Sequence, residues 1–327
     1  MHYVISFLAR RLAQSVVIVL LVTFLIFVIL RLVPGDPVRL IAGPMATPET
    51  VERVSENLGL NEPILVQYWK YMSGVVRGDF GTSFIRPESG QTTGGGRGDD
   101  PTRLDRADVI DLIAGRLPLT LQLAALAICF AFLISMPIGL AAGIYRARWP
   151  DSFSIITSSI MVSVPNFWLA SVLVLVFSIN LGWLPAVGYR GFSYMILPAV
   201  VLAIELAPVL IRAVASSLGS ILNEGFIKIG EARGLSRRRM IWAHGVRNAA
   251  APVLNVLGIQ LGVLLGGVLI VEYVFDFPGL GHLSINAVLQ RDFPVIQAIT
   301  ILASVIFIFV NILVDLFSSI IDPRLEY

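Results

Sequence analysis

Long stretches without a charged residue most constrain what this chain can fold into. Residues 12–30 form an apolar run of 19 residues without Asp, Glu, Lys or Arg, and residues 152–189 contain none of these either. A helix needs about 20 apolar residues to cross a bilayer, because the hydrocarbon core is ~30 Å thick. Only 14% of the 327 residues are charged, compared with roughly 25% in a soluble domain. We therefore expect an all-α integral membrane protein.

Six apolar segments predict six transmembrane helices. The stretch 152–189 is too long for one span, so we expect V-P-N-F-W at 164–168 to divide it into a helix and a re-entrant or interfacial piece. In the fifth span, Gly258, Gly262 and Gly266 are four residues apart and predict a close helix contact. The six segments are residues 12–30, 119–144, a helix within 152–189, 195–211, 248–271 and 293–321.

The distribution of arginine predicts the orientation in the membrane. Arg10 and Arg11 precede the first span, and Arg146 and Arg148 lie between the second and third spans. Short loops rich in Lys and Arg remain on the cytoplasmic side. We expect a multi-pass protein of the cell membrane with both termini and the basic loop at 216–250 in the cytoplasm.

The chain divides into three predicted regions. Residues 1–37 hold the first span and its exit, residues 38–116 form a small extracytoplasmic module, and residues 117–327 form the transmembrane core. Within the module, helical patterns are expected near residues 48–60 and 63–76. Residues 89–106 are rich in glycine and polar residues, which is typical of a flexible insertion.

The loop between the fourth and fifth spans is the most basic segment of the chain. Asn223 is suited to cap a short helix that Gly234 would end, because glycine tolerates the left-handed conformation of a helix C-terminus. Ser236 is suited to cap a second helix that runs to Pro252. Two small amphipathic helices in a basic loop predict a docking surface for a soluble partner. The basic residues are Lys228, Arg233, Arg237, Arg238, Arg239 and Arg247.

Two strings in this loop resemble a known family. F-I-K-I-G-E-A-R-G-L-S at 226–236, followed by H-G-V-R-N-A-A-A-P at 244–252, is similar to the coupling loop of ABC-importer permeases of the peptide/nickel type. Lys228, Ile229 and Gly230 depart from the general Glu-Ala-Ala consensus, although a basic residue in the first place is common in the peptide branch. Further similar strings are L-V-P-G-D-P-V at 32–38, G-D-F-G-T-S at 78–83, R-L-P-L-T-L-Q-L at 116–123 and E-Y-V-F-D-F-P-G-L-G at 272–281.

The resemblance implies the type I permease fold and the first, B-type permease half of a peptide or oligopeptide importer. It implies as partners a second homologous permease, two ABC ATPase subunits that bind ATP and Mg²⁺, and an extracytoplasmic solute-binding protein. The chain itself would need no cofactor and hold no metal. The residues that the resemblance assigns to ATPase coupling are Phe226, Ile227, Lys228, Glu231, Ala232 and Gly234, of which Phe226 and Ile227 would fill the ATPase cleft.

Polar residues inside the spans are candidates for the translocation path. A charge at the centre of a membrane helix costs about 2.5–3.5 kcal/mol on insertion scales, so Glu205 needs an explanation. It could contact a cationic end of the substrate, pair with a buried polar group, or be protonated. Asn166 and Gln260 are weaker candidates, since interhelical hydrogen bonds explain them equally well. For Asp315, a structural role at the inner interface is favoured.

The motifs of several other functions are absent from the sequence. It contains no G-x-x-x-x-G-K-[ST] phosphate loop, so this chain does not itself use ATP, and no H-E-x-x-H or G-x-S-x-G motif. An intramembrane enzyme would need paired catalytic residues, and Glu205 and Asp315 are isolated. The alternative is a secondary transporter that uses an ion gradient, although such proteins often contain repeats and none is evident here.

Overall fold

The computed structural model describes residues 2–32, 46–57, 59–87 and 106–321, although not the side chains of residues 2–12, 57, 87, 315 and 317–321. The predicted exit of the first span after Leu32, nearly all of the glycine-rich segment and the chain end after Ile321 lie outside the described residues. The regular structure comprises α1 His2–Leu32, α2 Pro48–Asn57, α3 Ile64–Val76, β1 Thr82–Pro87, β2 Arg106–Asp108, α4 Val109–Ala114, α5 Leu117–Ile144, α6 Trp149–Ser163, α7 Asn166–Asn180, α8 Ser193–Ile221, α9 Gly225–Ala232, α10 Arg237–Val274, α11 Leu280–Gln290 and α12 Phe293–Ile321.

Five of the described helices are long and apolar enough to cross a membrane, and a sixth span is obtained if α6 and α7 are counted together. The predicted helical membrane architecture is therefore confirmed, although the described residues also include one short two-stranded sheet. The break between α6 and α7 lies at the predicted V-P-N, and it bends the chain by 94°. The proline ring at Pro165 removes a backbone donor, and Val164 before it adopts an extended conformation with ψ 118°.

The first compact unit comprises residues 1–118 and 283–306. Within it, α3 packs against α1 through Tyr68, whose hydroxyl donates to the carbonyl oxygen of Leu20 at 3.0 Å and lies 2.9 Å from the Thr23 hydroxyl. The same ring makes edge contacts with Phe24 and Phe27. These contacts explain why a helix of only 13 residues is held in place.

A two-stranded antiparallel sheet, β1–β2, belongs to the same unit. The buried carboxylate of Asp292 accepts hydrogen bonds from the Ser83 hydroxyl and, at 2.9 Å, from the Phe84 amide, so it ties β1 to the start of α12. Burial lowers the pKa of Arg86 and of Arg106, and the negative charge of Asp292 opposes that shift in both.

The second compact unit comprises residues 119–282 and 307–327, and α8 lies at the centre of its core. α5 approaches α8 closely along a stripe of small residues. A Cβ at Gly139 would lie 2.8 Å from Cβ of Val214, and one at Gly143 would lie 3.0 Å from Cβ of Leu218. Small residues at this spacing allow helix backbones to come together in a membrane. The stripe consists of Ala127, Ala131, Ser135, Gly139 and Gly143.

The glycines predicted to mediate close packing in the fifth span do so at two of three positions. A Cβ at Gly258 would lie 2.8 Å from Val314, and one at Gly262 would lie 2.6 Å from the ring of Phe307. Gly266 faces open space, with no described atom within 4 Å of an added Cβ. Gly258 and Gly262 of the fifth span therefore allow close packing against the second half of α12.

Candidate functional site

The segment from Leu222 to Gly245, here called the foot, contains the predicted docking helix α9. The predicted cap at Asn223 is wrong, because Glu224 holds the N-cap position of α9. The side-chain amide of Asn223 instead donates to the carbonyl oxygen of Gly219 at 2.7 Å. That carbonyl lies in the last turn of α8, where backbone acceptors lack helical donors. Asn223 therefore closes the preceding helix rather than opening the next one.

The turn after α9 agrees with the prediction for Gly234. This residue has φ +88°, a conformation that glycine adopts without a steric penalty. Its amide donates to the Glu231 carbonyl at 2.9 Å, and the Leu235 amide donates to the Gly230 carbonyl at 3.1 Å. This pair of bonds is a Schellman motif, which satisfies the last carbonyl groups of a helix. The predicted end of the helix is confirmed.

The second predicted helix starts where expected and continues much further. The Ser236 hydroxyl accepts a hydrogen bond from the Arg239 amide at 3.4 Å, which confirms the predicted cap. The predicted end at Pro252 is wrong, because α10 runs without interruption from Arg237 to Val274 and includes a π-helical segment at Met240–Gly245. A membrane helix tolerates an internal proline where neighbouring groups satisfy the freed carbonyl. The part of the foot after Ser236 therefore belongs to the same helix as the fifth span.

The two faces of α9 differ from what the family resemblance implies. Ile227 is only 4% exposed, and Gly230 lies so close to Met240 that a Cβ there would come within 2.6 Å of its methyl group. Phe226 is 38% exposed and Ile229 is 55% exposed. The structure thus directs Ile227 inward and presents Phe226 together with Ile229, which the sequence interpretation missed. The i, i+3 spacing of the latter pair was an available signal, because it places them on one helix face.

The other predicted coupling residues lie on the surface of the foot. Lys228, Glu231 and Ala232 are exposed, as is Gly234 in the turn. Beside them is an open cavity of about 450 Å³, whose lining includes two guanidinium groups and an indole ring. The foot therefore offers apolar and basic groups together to a partner. The cavity is lined by Ser236, Arg238, Arg239, Trp242 and Ala243.

Two of the three predicted pathway residues are brought together. Glu205 is near the middle of α8, half-buried, and its Oε2 accepts a hydrogen bond from the Asn166 side-chain amide at 2.7 Å. Asn166 is the first residue of α7, directly after the 94° break. Gly267 of α10 also lies against this group, since a Cβ there would overlap the Glu205 carboxylate. Three helices therefore meet at this carboxylate.

Gln260 lies away from this pair. It is 8% exposed on α10, and it precedes Gly267 by seven residues, which corresponds to about 10 Å along a helix. The structure therefore places it at a different depth from Glu205.

A fully buried glutamate near the C-terminal end of α10 was not predicted as a site from the sequence. Glu272 is 0% exposed, and its carboxylate accepts from the Thr120 hydroxyl at 2.8 Å and from the Gly281 and His282 amides at 2.6 and 3.4 Å. The Thr120 oxygen also accepts from the Leu280 amide at 2.8 Å. The carboxylate thus holds the first turn of α11, where free amides and the helix dipole favour negative charge. In the sequence, the similarity of the string at 272–281 to the permease family is the signal that points to this residue.

Comparison with known proteins identifies the family. A family model described as "Binding-protein-dependent transport system inner membrane component" matches residues 135–327. A second model, described as the N-terminal part of such membrane components, matches residues 4–124.

Relatives match the chain over its whole length. The glutathione transport system permease protein GsiC of Salmonella paratyphi A (strain ATCC 9150 / SARB42) is 38% identical over 323 residues, which cover 99% of each chain. The protein of the same name from Escherichia coli (strain K12) is 37% identical over the same length and coverage.

Solved structures show the same fold at low identity. A chain of the MetNI methionine ABC transporter in an inward-facing conformation superimposes with a TM-score of 0.56 at 18% identity, covering 65% of this chain and 97% of that one. A chain of an amino acid ABC transporter solved with histidines gives a TM-score of 0.51 at 18% identity, covering 64% and 94%. These matches do not support an ion-gradient-driven secondary transporter. The chain belongs to the inner membrane components of binding-protein-dependent transport systems, and it is a multi-pass permease of an ABC importer.

Proposed function

We propose that this permease forms half of the translocation pathway of an ATP-driven importer for peptides or similar small solutes. The proposed class of transported solute rests on the full-length similarity, at 38% identity, to permeases named for glutathione transport. Glutathione is a tripeptide, which agrees with the peptide-type strings in the loop at 226–252. The cargo is therefore a small solute with peptide-like amide and terminal groups.

The energy for import comes from partner subunits. We propose a second homologous permease, two ABC ATPases that bind ATP and Mg²⁺, and an extracytoplasmic solute-binding protein. The basic character of the foot supports a cytoplasmic position for it and, with an even number of spans, for both termini. The region 38–116 then lies outside the cytoplasm as a module that contacts the binding protein or shields the gate.

The foot is the element through which ATPase closure enters this chain. Phe226 and Ile229 present apolar surface to an ATPase cleft, flanked by the exposed residues Lys228, Glu231 and Ala232. Gly230 packs α9 against Met240 of α10, and Ile227 is buried three residues before it on the same face of α9. Movement of α9 is thereby transmitted to a helix that continues through the membrane, while Gly234 keeps the turn between them short.

Glu205, Asn166 and Gln260 line the path on this side of the complex. The support is that Glu205 and Asn166 are polar, only half-buried, and adjacent to a helix break. Non-helical backbone at membrane depth is tolerated where it is buried in protein or lines a water-filled cavity. Gln260 supplies a further amide at another level of α10.

Reconstitution tests the proposal directly. The permease would be purified with its partner subunits and placed in proteoliposomes with ATP inside and the binding protein outside, and uptake of labelled glutathione and dialanine would be followed. We expect uptake that needs both ATP and the binding protein and that persists when an ionophore removes ion gradients. Uptake that stops with the ionophore and ignores ATP would refute the proposal.

A further inference from the structure

We infer that the carboxylate of Glu205 and the side chain of Asn166 form a binding site for a protonated amino group, so that this permease itself recognises the ammonium end of its cargo. The inference rests on the proposed import of peptide-like solutes. It adds a specificity element within the membrane to whatever selection the binding protein exercises.

The Glu205 carboxylate has no cationic partner in the described part of the chain. Among the described residues it forms no ion pair, and its one hydrogen bond is the amide donation from Asn166. The next basic residue along α8 is Arg212, two turns away, whose guanidinium donates to the Ser159 hydroxyl at 3.4 Å. Because an acid within a span is costly, a mobile cation that arrives with the cargo would supply the missing partner.

The number and kind of hydrogen-bond acceptors at the site fit an ammonium group. The hydrogen bond from Asn166 uses Oε2 of Glu205, and in the described part of the chain no donor reaches Oε1 or the Asn166 side-chain oxygen. An ammonium group has three donors and is satisfied by two such oxygens plus water or a carbonyl of the cargo. Calcium requires six to eight oxygen ligands and magnesium an octahedral set, so two side chains suit ammonium better.

The surrounding helices make room for the Glu205 carboxylate. A Cβ at Gly267 would overlap the Glu205 carboxylate, so glycine at this position of α10 lets the acid lie between α8 and α10. Asn166 approaches from the start of α7, where the chain has just turned by 94°. The acid is thus held at one place by two other helices while remaining only half-buried.

The test compares two peptides that differ only at the amino group. The purified permease–ATPase complex in nanodiscs, without its binding protein, would be titrated with labelled dialanine and with N-acetyl-dialanine. We expect the wild type to bind dialanine at least about 10-fold more tightly than N-acetyl-dialanine, in keeping with a charge-assisted hydrogen bond. Glu205→Gln should weaken dialanine about 10-fold and leave N-acetyl-dialanine unchanged, because the amide keeps the shape and the bond to Asn166 while removing the charge.

Asp151→Asn is the matched control, since it also removes one negative charge while keeping an oxygen that can accept from the Ala147 amide. It should bind both peptides as the wild type does. If Glu205→Gln does not assemble, Gly267→Ala displaces the same carboxylate and should weaken dialanine in the same direction. Dialanine preference that persists in these variants, or is absent from a wild-type complex that imports dialanine, overturns the inference. A wild type that imports no peptide with ATP overturns the proposed function instead.

Discussion

Removing the Glu272 carboxylate should lower the free energy of local opening of the first turn of α11. The hydrogen bonds that the carboxylate accepts determine the size of this change. The carboxylate accepts from the Thr120 hydroxyl and from the amides of Gly281 and His282, all inside the protein. A hydrogen bond to a charged group contributes about 1.5–3 kcal/mol, so losing the two short ones, from the Thr120 hydroxyl and the Gly281 amide, would cost about 3–6 kcal/mol. We expect Glu272→Ala to lower the free energy of opening by an amount in the latter range, because it leaves buried donors without an acceptor.

The substitution Glu272→Gln is expected to be milder. An amide keeps one acceptor oxygen and the shape of the side chain, so the loss should be about 1–2 kcal/mol, the charge-assisted part of the bonds. Asp276→Asn is the matched control in the same loop. Asp276 pairs with His282 at 3.0 Å but is largely exposed, and exposed ion pairs contribute only about 0–1 kcal/mol.

Hydrogen exchange of the amides at positions 280 to 282 measures these differences as local opening. With about 1.4 kcal/mol per tenfold change, exchange should accelerate about 100-fold or more in Glu272→Ala and about 5- to 30-fold in Glu272→Gln. Asp276→Asn should change it by less than about 5-fold. If all three variants exchange at the wild-type rate, the carboxylate does not hold this turn and the reasoning is refuted.

Three further predictions concern the foot and the first unit. Gly230→Leu should uncouple ATP hydrolysis from uptake because the Met240 side chain already fills the space beside this glycine, whereas Gly225→Leu, with no described atom within 4 Å of an added Cβ, should transport normally; both are read from stimulated ATPase and uptake. Gly234→Pro should insert and assemble but lose substrate-stimulated ATPase, since proline cannot adopt φ +88°; normal stimulation would contradict this. Tyr68→Phe should lower the unfolding free energy by about 1–2 kcal/mol through its lost hydrogen bonds, and an unchanged thermal midpoint would count against it.

Local features were the ones that the sequence predicted well. The Schellman turn at Gly234 and the cap at Ser236 depend on a few neighbouring residues, and both are present. The cap at Asn223 was mispredicted because two helices compete for the same side chain, and the Gly219 carbonyl takes its amide. The inward direction of Ile227 could not be predicted from α9 alone, because it depends on which face of α9 the rest of the chain packs against.

The sequence by itself determined that this is a membrane-spanning helical protein, because bilayer thickness imposes a length and an apolar composition that are visible in each contiguous segment. It also determined where the third span breaks, since proline acts on its own backbone and on the residue before it. Only the tertiary structure decided that Glu205 meets Asn166 and that Glu272 meets Thr120, which is distant from it in the chain. The physical reason is that a buried polar group is satisfied by whichever helix packs beside it, and that choice belongs to the whole assembly of helices.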